Sequence, residues 1–171
     1  MWNAAVARRT PVGELAAPFD VVSVALSKGL GAPAGSVLAG PRDVIRDCVR
    51  HRRMVGGAMR QVGILAAAGL YAIDHHLARL SDDHDNAKLI AAGLRTNPRV
   101  SLVADPIETN IVIFALGPEA PDAAAVIAAA RARGVLVVAF GPRTIRAVTH
   151  LDVTRAECEQ AAAVLEEVIG C

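Results

Sequence analysis

Val21-Val22-Ser23-Val24-Ala25-Leu26 is a β-branched apolar run between Asp20 and Ser27, the pattern of a buried strand in a parallel sheet. Gly29-Leu30-Gly31-Ala32-Pro33-Ala34-Gly35 follows, then a second short run, Ser36-Val37-Leu38-Ala39, closed by Gly40-Pro41. The pattern predicts strand, tight loop, strand. From Arg42 to Arg53, Val44, Ile45, Cys48 and Val49 recur at helical spacing opposite Asp43, Arg46, Asp47 and Arg50, an amphipathic helix. Gly56-Gly57 interrupts it. A second helix is predicted from about Met59 to Leu80, apolar nearly all round between Val62 and Ile73 and therefore expected to be buried.

The Ser81-Asp82-Asp83 cluster reads as a helix start leading into Asn86 to Arg95, and Asn97-Pro98 as its end. A domain boundary is placed near Ser81, dividing the chain into 1–80 and 81–171. Beyond it the pattern gives strand Val100 to Val103, strand Ile111 to Leu116, helix Asp122 to Arg133, strand Val135 to Phe140 and strand Ile145 to Thr149. Gly134 suits the left-handed residue that ends a helix. Thr154-Arg155-Ala156-Glu157 is a capping box opening a last helix that Gly170 closes. The expected class is α/β, with a small α/β sandwich at the C-terminal end.

Composition narrows the function classes. With 171 residues, 53% of them hydrophobic, and 18 basic against 17 acidic side chains, the chain lacks the basic surplus of a nucleic-acid binder and the net charge of a disordered tail. The longest run free of charged or strongly polar residues, Val62 to Ile73, falls short of the roughly 20 residues a membrane span needs. The start has no apolar signal region, so a cytoplasmic location is expected. Cys48, Cys158 and Cys171 form no CxxC pair and are expected to be reduced, with no metal site. Burial carried by Ala, Val, Leu and Ile suits a sizeable subunit interface, and a homo-oligomer is expected.

Lys28 and Lys88 are the only lysines, leaving sixteen of the 18 basic residues as arginine. An arginine cannot act as a nucleophilic amine, whereas a lysine can. Lys28 ends the first predicted strand and opens the glycine-rich loop, where α/β sheets bind ligands; a surface Ser-Lys pair is the competing reading. Arg50-His51-Arg52-Arg53 and Arg60 flank Gly56-Gly57, either an anion site or a solvated basic helix end. Arg146 alternates with apolar neighbours in its strand, where it either binds a carboxylate or pairs with an acid at the core edge. His75, His76 and His84 are read as helix-surface or helix-start residues without chemistry, and Asp82, Asp83 and Asp85 as capping rather than calcium-binding.

Taken in order, Ser27-Lys28-Gly29-Leu30-Gly31-Ala32-Pro33-Ala34-Gly35-Ser36, Gly56-Gly57-Ala58-Met59-Arg60-Gln61 and Arg146-Ala147-Val148-Thr149-His150-Leu151-Asp152-Val153 closely resemble the low-specificity L-threonine aldolases. The resemblance implies a pyridoxal-phosphate enzyme of the aspartate-aminotransferase fold type, cleaving L-threonine and L-allo-threonine to glycine and acetaldehyde. It implies that 1–80 is the C-terminal part of the large cofactor-binding domain and 81–171 the small domain. Lys28 would be the Schiff-base lysine. Ser27, Arg60 and Arg53 would lie at the cofactor phosphate, the Arg60 loop reaching into a neighbouring subunit of a dimer of dimers, and Arg146 would hold the carboxylate of an amino-acid substrate. Ala58 stands where the family usually has a third glycine, and Arg53 where it commonly has a lysine. The family's segment H-L-D-G-A-R-L-W-N-A compares with an opening Met1-Trp2-Asn3-Ala4, so the chain is expected to be N-terminally truncated, lacking the aspartate that faces the pyridine nitrogen. Little or no aldolase activity is then expected of the 171 residues alone. The alternatives are a non-catalytic fragment or assembly partner, or a related lyase acting on β-substituted amino acids.

Overall fold

The computed structural model describes residues 1–170 and divides into two compact units, Met1–Leu80 and Ser81–Cys171. Cys171 lies outside the described residues. The first unit opens with two short helices, α1 (Trp2–Arg8) and α2 (Val12–Ala16). No sequence pattern announces them, because five to seven residues are too few to display a helical period. The two predicted strands, β1 (Val22–Ala25) and β2 (Ser36–Ala39), pair antiparallel, with Val22 opposite Ala39 and Ala25 opposite Ser36. This corrects the parallel-sheet expectation. The connection between them is residues 26–35, and a parallel crossover needs about a dozen residues or more.

A small core of Leu26, Leu30, Ala32, Ala72 and Leu80, with Trp2, Val6, Ile73 and Leu77 packed against it, holds this unit together. Helices α3 (Arg42–Met54) and α4 (Gly63–His76) follow the hairpin. The expectation that the apolar helix is buried on all sides is not met: only Gly69 and Ala72 of α4 are buried, while Ile64 is 74% and Leu70 63% exposed. The buried stripe is narrow because it rests on a close approach to the hairpin end. A Cβ added at Gly69 would lie 2.9 Å from Leu26 Cδ1.

The second unit follows the predicted order closely. Helix α5 (Leu80–Arg95) begins earlier than expected, so Asp82 and Asp83 occupy its first turn, where the helix dipole favours negative charge. Strands β3 (Val100–Leu102), β4 (Ile111–Leu116), β5 (Val138–Gly141) and β6 (Thr144–Val148) form an antiparallel sheet of order β3-β4-β6-β5. Helices α6 (Ala123–Ala132) and α7 (Arg155–Ile169) complete the unit. Asp122 caps α6 by accepting from Ala125 N at 2.8 Å, Gly134 takes φ 84° just past its end, and Thr154 with Glu157 forms the capping box of α7. Phe114, Ile145, Leu94, Val126 and Leu165 are fully buried at the centre of the core.

His84 departs from its expected surface position: it is buried in α5, 4% exposed. Burial holds its imidazole below the ordinary value, Lys88 adding to the effect and Asp83 and Asp85 opposing it. A histidine whose folded-state pKa is depressed contributes stability above its unfolded pKa, near 6.5, and loses it as pH falls through the folded value. The second unit is therefore expected to lose stability as pH falls below about 6.5. Denaturant titrations below that pH should show a shallower loss in His84→Gln than in the wild-type chain.

Candidate functional site

The end of β1 is bound tightly by backbone hydrogen bonds. Leu26 N donates to Gly35 O at 3.0 Å, Ala32 N to Leu26 O at 3.1 Å and Gly31 N to Lys28 O at 2.8 Å. Two side chains secure it further: Trp2 Nε1 donates to Ala25 O at 3.0 Å, and His76 Nδ1 lies 2.6 Å from Leu30 O. Because a carbonyl only accepts, His76 carries its proton on Nδ1. Leu30 is wholly buried while Ser27 and Lys28 are exposed. Gly31 and Gly35, at φ 69° and 108°, take the left-handed backbone that so short a reversal requires. The loop thus presents the Lys28 amine on an anchored base, and among the described residues that amine has no ion pair or hydrogen bond.

The basic segment is built from the last turn of α3, which carries His51, Arg52 and Arg53, where the helix dipole favours cations. Arg52 Nε donates to Gly57 O at 2.7 Å, and Gly57 N returns a bond to Arg52 O at 2.8 Å. Arg53 and Arg60 remain exposed and, among the described residues, without an ion pair. Gln61, directly after Arg60, takes φ 55°, a left-handed backbone that costs a side-chain-bearing residue about 1–2 kcal/mol. A groove of about 600 Å³ in this unit is lined by Leu26, Gly35, Val37, Cys48, Arg52 and Met59 among others. Arg52 was not singled out from the sequence. Only the fold shows that it, of the basic run, lines the groove beside the β1–β2 loop.

Arg146 belongs to the second unit. On β6 its neighbours Ile145 and Ala147 are buried, so the pleat turns Arg146 to the opposite face. Across the ladder it stands opposite Ile113 on β4 and Val138 on β5, neither of which offers a negative charge. Its Nε is buried and, among the described residues, has no hydrogen-bond partner, and its guanidinium carbon lies 5.9 Å from the centre of the Phe140 ring. An unpaired buried donor of this kind costs about 1–3 kcal/mol, and a cation–π contact at an exposed site returns about 0.5–1 kcal/mol. A carboxylate would satisfy this guanidinium. The paired-acid reading finds no support, because among the described residues Arg146 has no ion pair.

The strand is held in register just beyond Arg146. Thr149 N donates to Asn110 O at 3.0 Å, Asn110 Nδ2 to Thr149 O at 2.8 Å and Thr149 Oγ1 to Asp83 O at 2.5 Å, with all three residues buried. Ser27 and Lys28 share one loop, Arg53 and Arg60 bracket the glycine turn, and Arg146 lies in the other unit. Among the described residues no group of histidine, cysteine and carboxylate side chains is placed to hold a metal. No helix among them is long and apolar enough to cross a membrane.

Residues 1–116 match the family model described as β-eliminating lyase. Over 163 residues the chain is 44% identical to the low-specificity L-threonine aldolase of Escherichia coli O157:H7, covering 95% of this chain and 47% of that protein. It is 36% identical over 170 residues to the probable low-specificity L-threonine aldolase 2 of Arabidopsis thaliana, covering 98% and 48%. Among solved structures, a putative L-allo-threonine aldolase from Listeria monocytogenes EGD-E superposes with a TM-score of 0.79 at 18% identity, over 98% of this chain and 49% of that one. A putative aromatic amino acid β-eliminating lyase/threonine aldolase from Exiguobacterium sp. 255-15 gives 0.78 at 18% identity, over 96% and 49%. The chain spans about half the length of the curated relatives it matches.

Removing the clasp behind Arg146 has a defined cost. Asn110→Ala leaves the buried Thr149 carbonyl without its side-chain donor, and a loss of about 1–3 kcal/mol is expected. Hydrogen exchange of the β4 and β6 amides in the intact chain should quicken accordingly.

Proposed function

The chain belongs to the β-eliminating lyase family, and from that premise we propose that it carries the lysine and the carboxylate-binding arginine of a pyridoxal-phosphate-dependent aldolase. The reaction is cleavage of L-threonine or L-allo-threonine to glycine and acetaldehyde, in keeping with the names of the threonine aldolases it resembles. One observation carries this reading: Lys28, one of two lysines in the chain, is exposed and, among the described residues, without a partner, on the loop after β1 that is anchored from both sides. A surface lysine does not need such a base; an amine that holds a carbonyl compound in one orientation does.

The donor set fits the cofactor. An aldehyde calls for an amine, a phosphate for cations, and an amino-acid substrate for a guanidinium, and the chain offers Lys28, Arg53 with Arg60, and Arg146 with its orphaned Nε. Lys28 would hold the cofactor through Nζ and yield that position to the substrate amine. Ser27, beside it, would donate its hydroxyl to a phosphate oxygen, while Arg53 and Arg60 neutralise the phosphate charge. The Arg146 guanidinium would take the substrate carboxylate in two parallel hydrogen bonds, fixing the orientation of the bond to be broken. When bound, pyridoxal phosphate supplies the electron sink for the charge left as Cα–Cβ cleaves.

Assembly as a homo-oligomer in the cytoplasm belongs to the same proposal. The exposed apolar side chains of α3, of the residue after it and of α4, Met54 at 70%, Val55 at 82% and Ile64 at 74% among them, supply surface of the kind subunit contacts cover. The family description also favours a second reaction, β-elimination, which the same lysine and arginine would serve.

Incubation of the chain with pyridoxal phosphate, borohydride reduction and peptide mapping tests the assignment. Label is expected on the peptide carrying Lys28 and not on that carrying Lys88, with at least about tenfold less in Lys28→Ala; label on Lys88, or none, would refute it. With L-threonine supplied, glycine and acetaldehyde mark the aldolase reaction. Release of 2-oxobutanoate and ammonia would instead mark β-elimination.

A further inference from the structure

We infer that Phe140 is a positioning residue for the Arg146 guanidinium, holding it by its ring so that the guanidinium is oriented to receive a carboxylate. The inference rests on the proposed role of Arg146 and deepens it. It begins with an irregularity in the sheet. Along β5 and β6, Val138 stands opposite Arg146 and Ala139 opposite Ile145, but Gly141, not Phe140, stands opposite Thr144. Phe140 is therefore the extra residue of a β-bulge, and bulges re-aim the side chain they carry. Here the re-aimed ring is the one whose centre lies 5.9 Å from the Arg146 guanidinium carbon.

Nothing in the core accounts for this placement. Phe140 is 61% exposed, so the ring is not held there by burial, and a large apolar side chain on a bulge is left largely in water. The residues flanking Arg146 across the ladder, Ile113 and Val138, are apolar and offer it no hydrogen bond. Without the ring, the guanidinium would lose its one electrostatic partner among the described residues. The ring attracts the guanidinium charge to its π-face without occupying any of its N–H donors, so those donors keep their capacity for a ligand. An aromatic ring suits this task better than an acid would. A carboxylate partner would occupy the same N–H groups that the substrate needs, whereas a π-face leaves them vacant.

The test uses the intact chain labelled with 15N-arginine and titrated with acetate against chloride at constant ionic strength, following the Arg146 Nε–H signal, which is identified by its absence from Arg146→Met. A saturable shift is expected in the wild type. Phe140→Leu, which keeps an apolar side chain but removes the ring, should weaken acetate binding about two- to fivefold, the equivalent of the cation–π contact. Phe140→Tyr should restore wild-type affinity. Because Phe140 is largely exposed, the remaining amide signals of the second unit should be unchanged in both variants. If Phe140→Leu binds acetate like the wild type, or if Leu and Tyr weaken it equally, the ring does not position Arg146 and the inference is overturned, while the carboxylate role of Arg146 stands. If the wild-type signal shows no saturable shift, the carboxylate role itself fails, and the inference falls with it.

Discussion

Alternation of faces along a β-strand is the constraint on which both units depend. On β6, burying Ile145 and Ala147 in the core leaves Arg146 no choice of side. A slip of one residue in register would send the charge into a core built around Phe114, Val126 and Leu165. The Asn110–Thr149–Asp83 hydrogen bonds prevent that slip at the end of the strand nearest Arg146. On β1 the same alternation buries Val24, and Leu26 just past the strand is buried as well. The loop that follows leaves Ser27 and Lys28 exposed.

The two candidate groups are held by different physics. Lys28 sits on a loop pinned by backbone hydrogen bonds at Leu26, Lys28 and Gly31 and by His76 at Leu30 O, with Trp2 holding Ala25 O at the strand end. Arg146 sits on a regular strand, and among the described residues its buried Nε has no hydrogen-bond partner. A folded chain tolerates an orphaned donor of about 1–3 kcal/mol most readily where a ligand removes the cost on binding. The irregularity at Phe140, one residue too many in an otherwise regular ladder, lies beside that same atom.

The exposed apolar surface of the first unit has a related meaning. Helix α4 is apolar on nearly every side, yet only Gly69 and Ala72 are buried, and α3 buries no residue at all. Surface of this extent on a helix pair is the mark of faces that pack against something further. The basic turn, with Gln61 held at φ 55°, connects these two helices.

Local patterns alone determined most of the second unit. Ile111 to Leu116, the helix capped by Asp122, Gly134 and the Thr154–Glu157 box were legible because each depends on a few neighbouring residues. The family resemblance was legible for a similar reason, since the Ser27–Ser36, Gly56–Gln61 and Arg146–Val153 segments are each contiguous. What required the tertiary structure was every property set by residues distant in sequence. The direction of β2 against β1, the narrow buried stripe of α4, the burial of His84, Arg52 in its groove and the approach of Phe140 to Arg146 all depend on contacts across the fold. Periodicity records which side of an element is apolar; only packing decides whether that side finds a partner.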